Sequence, residues 1–193
     1  RDKLVTGVQT CALPISVGLY DSAGTTWQSD GNIVITGGTI TADTSDDAIH
    51  CGGDMTITGG VFSIATADDA FHSDHTLTIG TANAGTFDDV KIYVSKAYEG
   101  VEGVTINQNS GTVYIVSTDD GYNAAGGADG SGSGNTNPWG GGGMSTSSGT
   151  LNLNGGLAVV NSASGDHDAF DSNGALTITG GYYCANGQEP LDA

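Results

Sequence analysis

Basic residues are scarce in this 193-residue sequence, which has 4 lysines and arginines against 22 acidic residues and a formal net charge of -18. Such a field repels nucleic acids and anionic membrane surfaces and attracts cations, so it excludes nucleic acid as a partner. No apolar run approaches the roughly 20 residues that a membrane-spanning helix needs, which excludes membrane insertion. No amphipathic helical run of useful length is present either, and the sequence therefore predicts an all-β fold.

The sequence instead repeats one cassette that is rich in threonine, valine and isoleucine. The cassette reads NIVITGGTI up to Ile40, DMTITGGVF up to Phe62 and ALTITGGYY up to Tyr183. Apolar and hydroxyl residues alternate within each copy, which is typical of a strand with one buried face. One apolar position recurs at intervals of 22, 22, 27, 47 and 25 residues: Ile35, Ile57, Ile79, Ile106, Leu153 and Ile178.

This repeat predicts a β-solenoid of about six to seven rungs. Glycine pairs, drawn from a total of 33 glycines, mark the turns. A single rung cannot bury its own apolar face, so stacked rungs roughly 4.8 Å apart would share a continuous core of like residues. We therefore expect a single-stranded parallel β-helix, formed as one domain by residues 16–193.

Two segments do not follow the repeat. Residues 1–15, RDKLVTGVQTCALPI, look like a translated sequencing adapter and are interpreted as not native. Residues 126–148 add about one coil of glycine- and serine-rich chain and are interpreted as a loop insertion. Because the adapter precedes the first rung and the chain stops within a further copy of the repeat, we expect the solenoid to be truncated at both ends.

Cysteine is rare, and its spacing argues against a disulfide. Of the 3 cysteines, Cys11 lies within residues 1–15. Cys51 and Cys184 lie four rungs or about 19 Å apart at the usual strand spacing, beyond the roughly 7 Å that a disulfide allows. We expect both to be small buried residues without a metal.

Acidic stretches separate the cassettes and align when the rungs are superposed. The principal carboxylates form an acidic column: Asp47, Asp69, Glu99, Asp120 and Asp168. The residues just before them are Asp46, Asp68, Tyr98, Asp119 and His167. Stacked carboxylates repel one another, and a calcium ion with oxygen ligands at about 2.3 to 2.6 Å matches a strand spacing of about 4.8 Å. Calcium is therefore expected here, with solvated turns of Asp and Asn as the alternative.

The residues after each carboxylate predict which side chains face the core. An apolar column should point inward: Ile49, Phe71, Val101, Tyr122 and Phe170. By alternation, the small residues before them should face outward: Ala48, Ala70, Gly100, Gly121 and Ala169. The third residue after each carboxylate should share that outward face: His50, His72, Glu102, Asn123 and Asp171. Small side chains beside polar ones predict a shallow groove in which His50, His72 and Asn123 contact sugar.

His50 and His72 stack one rung apart, as a transition-metal pair would. The later rungs carry Glu102, Asn123 and Asp171 at this position, and a tetrahedral zinc site needs a third nitrogen or sulfur ligand. The sequence therefore favours a polar surface ladder over a zinc site.

Two aromatic residues outside the core are candidates for stacking on sugar rings. Trp139 lies within the loop insertion, and Tyr98 lies beside the acidic column. An exposed tryptophan in such a loop is often a stacking residue, although folding back onto the exterior of the coil is equally consistent with the sequence.

Taken in order, the motifs resemble the bacterial carbohydrate-binding domain family built as a pectate-lyase-like right-handed parallel β-helix. The resemblance rests on DDAIHCGGDMTITGG, a YEGVEG-like stretch, DDGYNAAGG and SGDHDAFDSNGALTITGG, and it spans about Gly31 to Asp192. It implies binding of cellulose and acidic sugars, bound calcium, and a secreted or cell-surface location in a bacterium. Carried over residue by residue, the implied calcium ligands are Asp46, Asp47, Asp68, Asp69, Glu99, Glu102, Asp119, Asp120, Asp168 and Asp171.

We therefore predict a non-catalytic, calcium-dependent module that binds plant cell-wall polysaccharide such as cellulose or polygalacturonate, as a monomer or within a larger multidomain protein. A calcium-dependent polysaccharide lyase is the enzymatic alternative. Such lyases usually need an arginine base, and outside residues 1–15 the basic residues are Lys91 and Lys96. A structural or adhesive surface solenoid is the third alternative.

Overall fold

The computed structural model describes residues 31–82, 89–125, 148–162 and 167–193, together with the backbone of four short strands before residue 31. Those strands are β1 (Lys3–Val5), β2 (Val8–Cys11), β3 (Ile15–Tyr20) and β4 (Trp27–Asp30). The described residues form strands and turns but no helix, which confirms the all-β prediction. It follows that this part of the chain holds no helix long and apolar enough to cross a membrane.

Thirteen further strands lie in the described residues. They are β5 (Ile33–Asp43), β6 (Ile49–Cys51), β7 (Met55–Ala65), β8 (Phe71–Ile79), β9 (Val90–Ala97), β10 (Val101–Gln108), β11 (Thr112–Ser117), β12 (Tyr122–Ala124), β13 (Thr150–Leu153), β14 (Leu157–Asn161), β15 (Phe170–Ser172), β16 (Ala175–Ile178) and β17 (Tyr182–Asn186). Pairing joins the strands into one sheet that curls into a nearly closed, barrel-like arrangement. Among the described pairings all are parallel except that of β3 with β4.

Each repeat of the sequence contributes to three series of parallel pairings. In the first, the residues in register are Ile33, Met55, Leu77, Ile106, Leu151 and Leu176. In the second, they are Ile40, Phe62, Ile92, Val113, Ala158 and Tyr183. In the third, they are Ile49, Phe71, Val101, Tyr122 and Phe170. Apolar residues of successive repeats therefore lie on one another, which is compatible with the predicted solenoid.

The register of β10 corrects the apolar series predicted from the sequence. Ile106 pairs with Leu77, whereas Gln108 pairs with Ile79 on one side and Leu153 on the other. A register shift between Gly103 and Thr105 accompanies this change. The series that begins at Ile35 thus passes through a buried glutamine, which a search for recurring apolar residues passes over.

Gln108 is fully buried and its side-chain groups are paired. Its Oε1 accepts a hydrogen bond of 2.7 Å from the hydroxyl of Tyr122, and its Nε2 donates one of 3.3 Å to the carbonyl of Leu157. Burying an amide is costly unless it is hydrogen-bonded, so these partners allow a polar residue within the core.

The core lies where the three series meet. The five third-series residues are all fully buried, which confirms the predicted inward column. Phe62 packs edge-on against Phe71 with ring centroids 5.4 Å apart, and Tyr122 lies 5.0 Å from Phe170. Each large apolar side chain buried in this way contributes roughly 1.5–3 kcal/mol to folding.

Left-handed glycines lie between the first and second series, at Gly38, Gly60, Gly80, Gly111, Gly156 and Gly181. Four of these are the second member of a glycine pair. The pairs at 155–156 and 180–181 lie between strands, as predicted, whereas those at 37–38 and 59–60 lie within β5 and β7, at a register shift in their pairing. At Gly156 a Cβ would also lie 2.6 Å from the carbonyl oxygen of Gly111, so conformation and space both favour glycine there.

The two cysteines in the described residues are free, but only one of them is buried. Cys51 lies in the core, as predicted. Cys184 is exposed, and the prediction that it is buried was wrong. Cys184 pairs with Val159, on the face of β14 that alternates with the buried Ala158 and Val160, so its side chain points outward.

The ends of the predicted domain remain predictions. Within residues 1–15, the backbones of β1 and β2 pair in parallel with β5. The interpretation of this stretch as an adapter rests on its sequence alone. Residues 126–147 of the predicted loop insertion, including Trp139, lie outside the described residues.

Candidate cation and carbohydrate site

The acidic column predicted by superposing the repeats is present. The N–H groups of Ala48, Ala70, Gly100 and Gly121 donate to the carbonyls of Asp69, Glu99, Asp120 and Asp168, respectively. Each principal carboxylate therefore lies directly over its counterpart in the neighbouring repeat. The column runs along the edge where the second series of strands ends and the third begins.

Carboxylates in the column also bind the backbone. Oδ1 of Asp47 accepts the N–H of Asp69 at 3.1 Å, and Oδ1 of Asp69 accepts the N–H of Glu99 at 3.2 Å. Asp120 and Asp168 accept the N–H groups of Asp168 and Glu189 in the same way, at 2.6 and 2.7 Å. These backbone N–H groups lie in turns, outside the hydrogen bonds between strands, and the carboxylates serve as their acceptors. Each carboxylate therefore helps to join two repeats.

The small residues beside the column face inward, and the prediction that they face outward was wrong. Ala48, Ala70 and Ala169 are fully buried. A Cβ at Gly100 would lie 2.6 Å from Ile115, and one at Gly121 would lie 2.1 Å from a methyl of Val160. The chain turns between the carboxylate and the next strand, so the alternation of a continuous strand does not extend across this corner.

The predicted polar ladder is in register but is not an exposed groove. His50 pairs with His72, Glu102 pairs with His72 and Asn123, and Asn123 pairs with Asp171. His72 is 1% exposed, Glu102 6% and Asn123 9%, so the prediction that they line an exposed groove was wrong for these three. They alternate with the inward third-series residues but are covered by neighbouring side chains. His50 and Asp171 are half-buried.

An oxygen pocket forms where three repeats bring together Asp69, Glu99, Glu102 and Asn123. One carboxylate oxygen from each of the three acids lies within 4.8 Å of the other two. Nδ2 of Asn123 donates to Oε1 of Glu99 at 2.9 Å. Oε2 of Glu99 and Oδ1 of Asn123 are buried and make no hydrogen bond, and Oε2 of Glu102, also buried, lies 2.9 Å from Nδ1 of His72. Buried oxygens from three carboxylates and one amide form a donor set suited to a hard cation.

The pocket makes ionised carboxylates unfavourable in the absence of a cation. Burial raises the pKa of Glu99 well above its usual value, and the charges of Glu102 and Asp69 raise it further. Burial likewise raises the pKa of Glu102 to about 8, against the opposing effect of His72. Asp47, one repeat away, has a pKa of about 6 because of burial and the nearby Asp69.

His72 occupies the centre of a second cluster. Its Nδ1 hydrogen-bonds Oδ2 of Asp69 at 3.2 Å and lies 2.9 Å from Oε2 of Glu102. Its Nε2 lies 3.2 Å from Oδ1 of Asp74, and Nε2 of His50 lies at the same distance from that oxygen. Burial lowers the pKa of His72, but the surrounding carboxylates outweigh this effect and raise it overall.

The other half of the column is more open. Asp119 and Asp120 are half-buried, and Nδ1 of His167 contacts Oδ1 of Asp119. Burial, then the charges of neighbouring aspartates, raise the pKa of Asp120 to about 7 and that of Asp171 to about 6. Asp119, Asp120 and His167 also bring one ligand atom each within 4.8 Å of the others.

The outer edge of the column carries the remaining predicted residues. Asp46 is exposed and Asp68 is half-buried, and together with Asp47 they form another group whose ligand atoms lie within 4.8 Å. Tyr98 is 37% exposed, and hydrogen bonding to Asp119 raises the pKa of its hydroxyl. Asp168 is half-buried and binds the backbone of Glu189. Trp139 lies outside the described residues.

The sequence interpretation missed two features of this surface. Asp74 lies beside both His50 and His72, although it is outside the aligned acidic positions. Tyr93 and Tyr114, 42% and 39% exposed, stack with centroids 5.5 Å apart and planes within 3° of parallel. This pair could have been found in the sequence, because KIYV and TVYI place a tyrosine at the same position of two successive copies of the repeat.

A model for a protein family described as "Carbohydrate-binding domain-containing protein" matches residues 16–70. This segment includes β5, β6 and β7 and the first two carboxylates of the acidic column, Asp47 and Asp69. No curated protein matches the chain, and no solved structure matches it. The family match supports a carbohydrate-binding domain with a polysaccharide partner, and it suggests a non-catalytic role.

Proposed function

We propose that this chain is a calcium-dependent module that binds acidic and neutral plant cell-wall polysaccharides without degrading them. The observation that carries the proposal is the oxygen pocket of Asp69, Glu99, Glu102 and Asn123, in a chain that matches a carbohydrate-binding family. Calcium prefers carboxylate and amide oxygens, and the pocket presents both. An ion there would neutralise carboxylates that burial otherwise holds protonated.

The buried ion has a structural role in this proposal. The pocket joins three successive repeats, since Asp69 and Glu99 follow one another along the column and Asn123 of the next repeat pairs with Glu102. A cation that they share would hold those repeats together and cancel the repulsion between their charges. Loss of calcium would therefore loosen this edge of the sheet.

The outer group of Asp46, Asp47 and Asp68 is the proposed contact with acidic sugar. Unlike the buried pocket, it reaches the surface, because Asp46 is exposed. A calcium ion bound there would retain coordination positions for a uronate carboxylate or for sugar hydroxyls. A protein with a net charge of -18 could then bind an acidic polymer that its field would otherwise repel.

Neutral polysaccharide would bind the tyrosine platform, defined as Tyr93 and Tyr114. The two rings are exposed and their planes are nearly parallel, so the pair offers aromatic surface to a sugar chain. Their strands, β9 and β11, lead into the acidic column through Tyr98 and Asp119. A single polysaccharide chain could therefore contact both surfaces.

We further propose that the fold is the right-handed parallel β-helix that the sequence resembles, and that the protein works outside the bacterial cell. The three series of parallel pairings at repeated spacing support the first point. The proposed ligands, cellulose and polygalacturonate, are extracellular, which supports the second.

Calcium titration by calorimetry tests the proposal on the wild type and on Glu99→Gln. We expect saturable heat for the wild type and at least tenfold weaker calcium binding for the variant, because one charged ligand is lost. The same substitution should raise the melting temperature of the calcium-free protein, since it removes a buried, repelled carboxylate. Opposite effects on binding and stability distinguish loss of a ligand from misfolding.

Asp54→Asn is the matched control. Asp54 is exposed, lies away from the acidic column in sequence, and can still accept the N–H of Thr76 as asparagine. We expect calcium binding of this variant to equal that of the wild type. Absence of saturable heat in the wild type, or equal affinity in Glu99→Gln, would contradict the proposed calcium pocket.

A further inference from the structure

We propose that His50, His72 and Asp74 form a binding site for a divalent transition metal of the zinc class, separate from the calcium pocket. The site spans two strands, with His50 on β6 and the other two residues on β8. One ligand atom from each residue lies within 4.8 Å of those from the other two. Two imidazoles and a carboxylate are a common donor set for such metals.

The distances match a tetrahedral metal. Oδ1 of Asp74 lies 3.2 Å from Nε2 of His50 and 3.2 Å from Nε2 of His72. Two ligands at about 2.0 to 2.1 Å from a tetrahedral ion are roughly 3.3 to 3.4 Å apart, so a metal needs only small adjustments here. The imidazole rings lie on the two neighbouring strands with centroids 4.6 Å apart and planes tilted by 52°.

The buried imidazole of His72 points independently to a ligand. The residue is 1% exposed, and its Nε2 makes no hydrogen bond in the described residues. A buried polar atom of this kind needs a partner: Nε2 either carries a proton directed at Oδ1 of Asp74, 3.2 Å away, or binds a cation held between the two atoms. A metal between the two atoms would satisfy both of them.

The opposite nitrogen of His72 is held as metal-ligand histidines usually are. Nδ1 faces only carboxylate oxygens, those of Asp69 at 3.2 Å, Glu102 at 2.9 Å and Asp47 at 3.8 Å. Nδ1 must therefore carry a proton, so Nε2 is the nitrogen that a metal could bind in place of a proton. His50 follows the same pattern, with Nδ1 3.6 Å from Oδ2 of Asp47. Carboxylates in this position orient the ring and raise its basicity.

The arrangement offers a ligand that the sequence argument against zinc did not consider. That argument required a third nitrogen or sulfur ligand, and Glu102 occupies the aligned position of the next repeat. The third ligand instead comes from β8 itself, two residues after His72, because the strand brings Asp74 alongside both imidazoles. His50 and Asp74 have side chains 27% and 31% exposed, so solvent can reach the site and supply a fourth ligand.

The test is calorimetric titration of the full chain with Zn²⁺ in excess calcium, which occupies the oxygen sites first. We expect one Zn²⁺ per wild-type chain and at least 100-fold weaker binding in His50→Ala and Asp74→Asn. Both substitutions lie at the accessible side of the cluster, so folding should be retained, as circular dichroism would verify. Co²⁺ in place of Zn²⁺ should give the visible absorption of a tetrahedral complex in the wild type alone.

His75→Ala is the matched control, because His75 is an exposed histidine on the same strand. It should bind Zn²⁺ like the wild type. Equal Zn²⁺ affinity in His50→Ala and Asp74→Asn would place the ion elsewhere and overturn the proposal. Displacement of Zn²⁺ by excess calcium would overturn it as well, since that would indicate a site made of oxygens alone.

Discussion

At the scale of single residues, the carboxylates of the acidic column act in two opposing ways. As acceptors from backbone N–H groups they join neighbouring repeats, as Asp120 does with Asp168 at 2.6 Å. As half-buried charges close to one another they oppose folding, which the raised pKa of Asp120, about 7, expresses. A bound cation would remove the second effect and leave the first.

This balance predicts that the calcium-free protein becomes less stable as pH rises. The pKa of Asp120 is about 7 in the folded chain against 3.8 as its ordinary value, and that of Asp171 is about 6. Between about pH 4 and pH 7 the unfolded chain therefore loses protons that the folded chain retains, so unfolding is favoured. Thermal unfolding in chelator should show a melting temperature that falls over this range.

Added calcium should restore more stability at pH 8 than at pH 5, because ionised carboxylates bind it better. In Asp120→Asn the melting temperature in chelator should depend less on pH, because the titrating carboxyl is removed. The asparagine oxygen can still accept the N–H of Asp168. A melting temperature in chelator that rises steadily from pH 5 to pH 8 would contradict this account of the column.

At the scale of strands, β9 and β11 place Tyr93 and Tyr114 side by side on the outer face. Parallel pairing sets the two residues in register, and their rings stack 5.5 Å apart. Neither ring is needed to cover the core, because Ile92 and Val113, which precede them, fill that role. An exposed aromatic pair that the core does not require is suited to binding a ligand.

Substituting either tyrosine should weaken binding to neutral polysaccharide. We expect Tyr93→Ala and Tyr114→Ala to reduce affinity for insoluble cellulose about fivefold each, corresponding to roughly 1 kcal/mol per stacked ring. Depletion isotherms on cellulose would measure the effect. Val116→Ala is the control, because Val116 is 46% exposed on β11 but has no ring. Equal losses in all three variants would argue against stacking by the tyrosines.

The strands also show how far the sequence could lead. The spacing of Ile35, Ile57 and Ile79 was sufficient to predict parallel stacking, because apolar residues of equivalent position must share one core. It could not place Gln108 in that series, since a buried amide is stable only through partners, Tyr122 and Leu157, that come from other strands. Periodicity in the sequence does not reveal such partners.

The candidate site was predictable to a similar extent. Superposing the repeats gave the acidic column and the register of its neighbours. It did not give their direction, because the chain turns a corner after each carboxylate and buries the small residues such as Ala70. Superposing the repeats also did not identify Asp74, because its contacts with His50 and His72 arise from the pairing of β6 with β8.

At the scale of the whole molecule, charge and shape lead to the same requirement. A net charge of -18 is concentrated in part on one edge, where the repeats stack their carboxylates. Cations at that edge would both stabilise the stack and change the sign of the potential that an acidic polymer meets. Calcium should therefore control binding to acidic polysaccharide more strongly than binding to neutral cellulose, for which the tyrosine platform suffices.

Retention of the full chain on insoluble polygalacturonate, with calcium and with chelator, tests the central claim most directly. We predict retention in calcium, release by chelator, and no unsaturated sugars in the supernatant by ultraviolet absorbance. Retention that is equal in both conditions, or absent from both, would contradict calcium-dependent binding. Unsaturated products would contradict the non-catalytic role and identify a lyase instead.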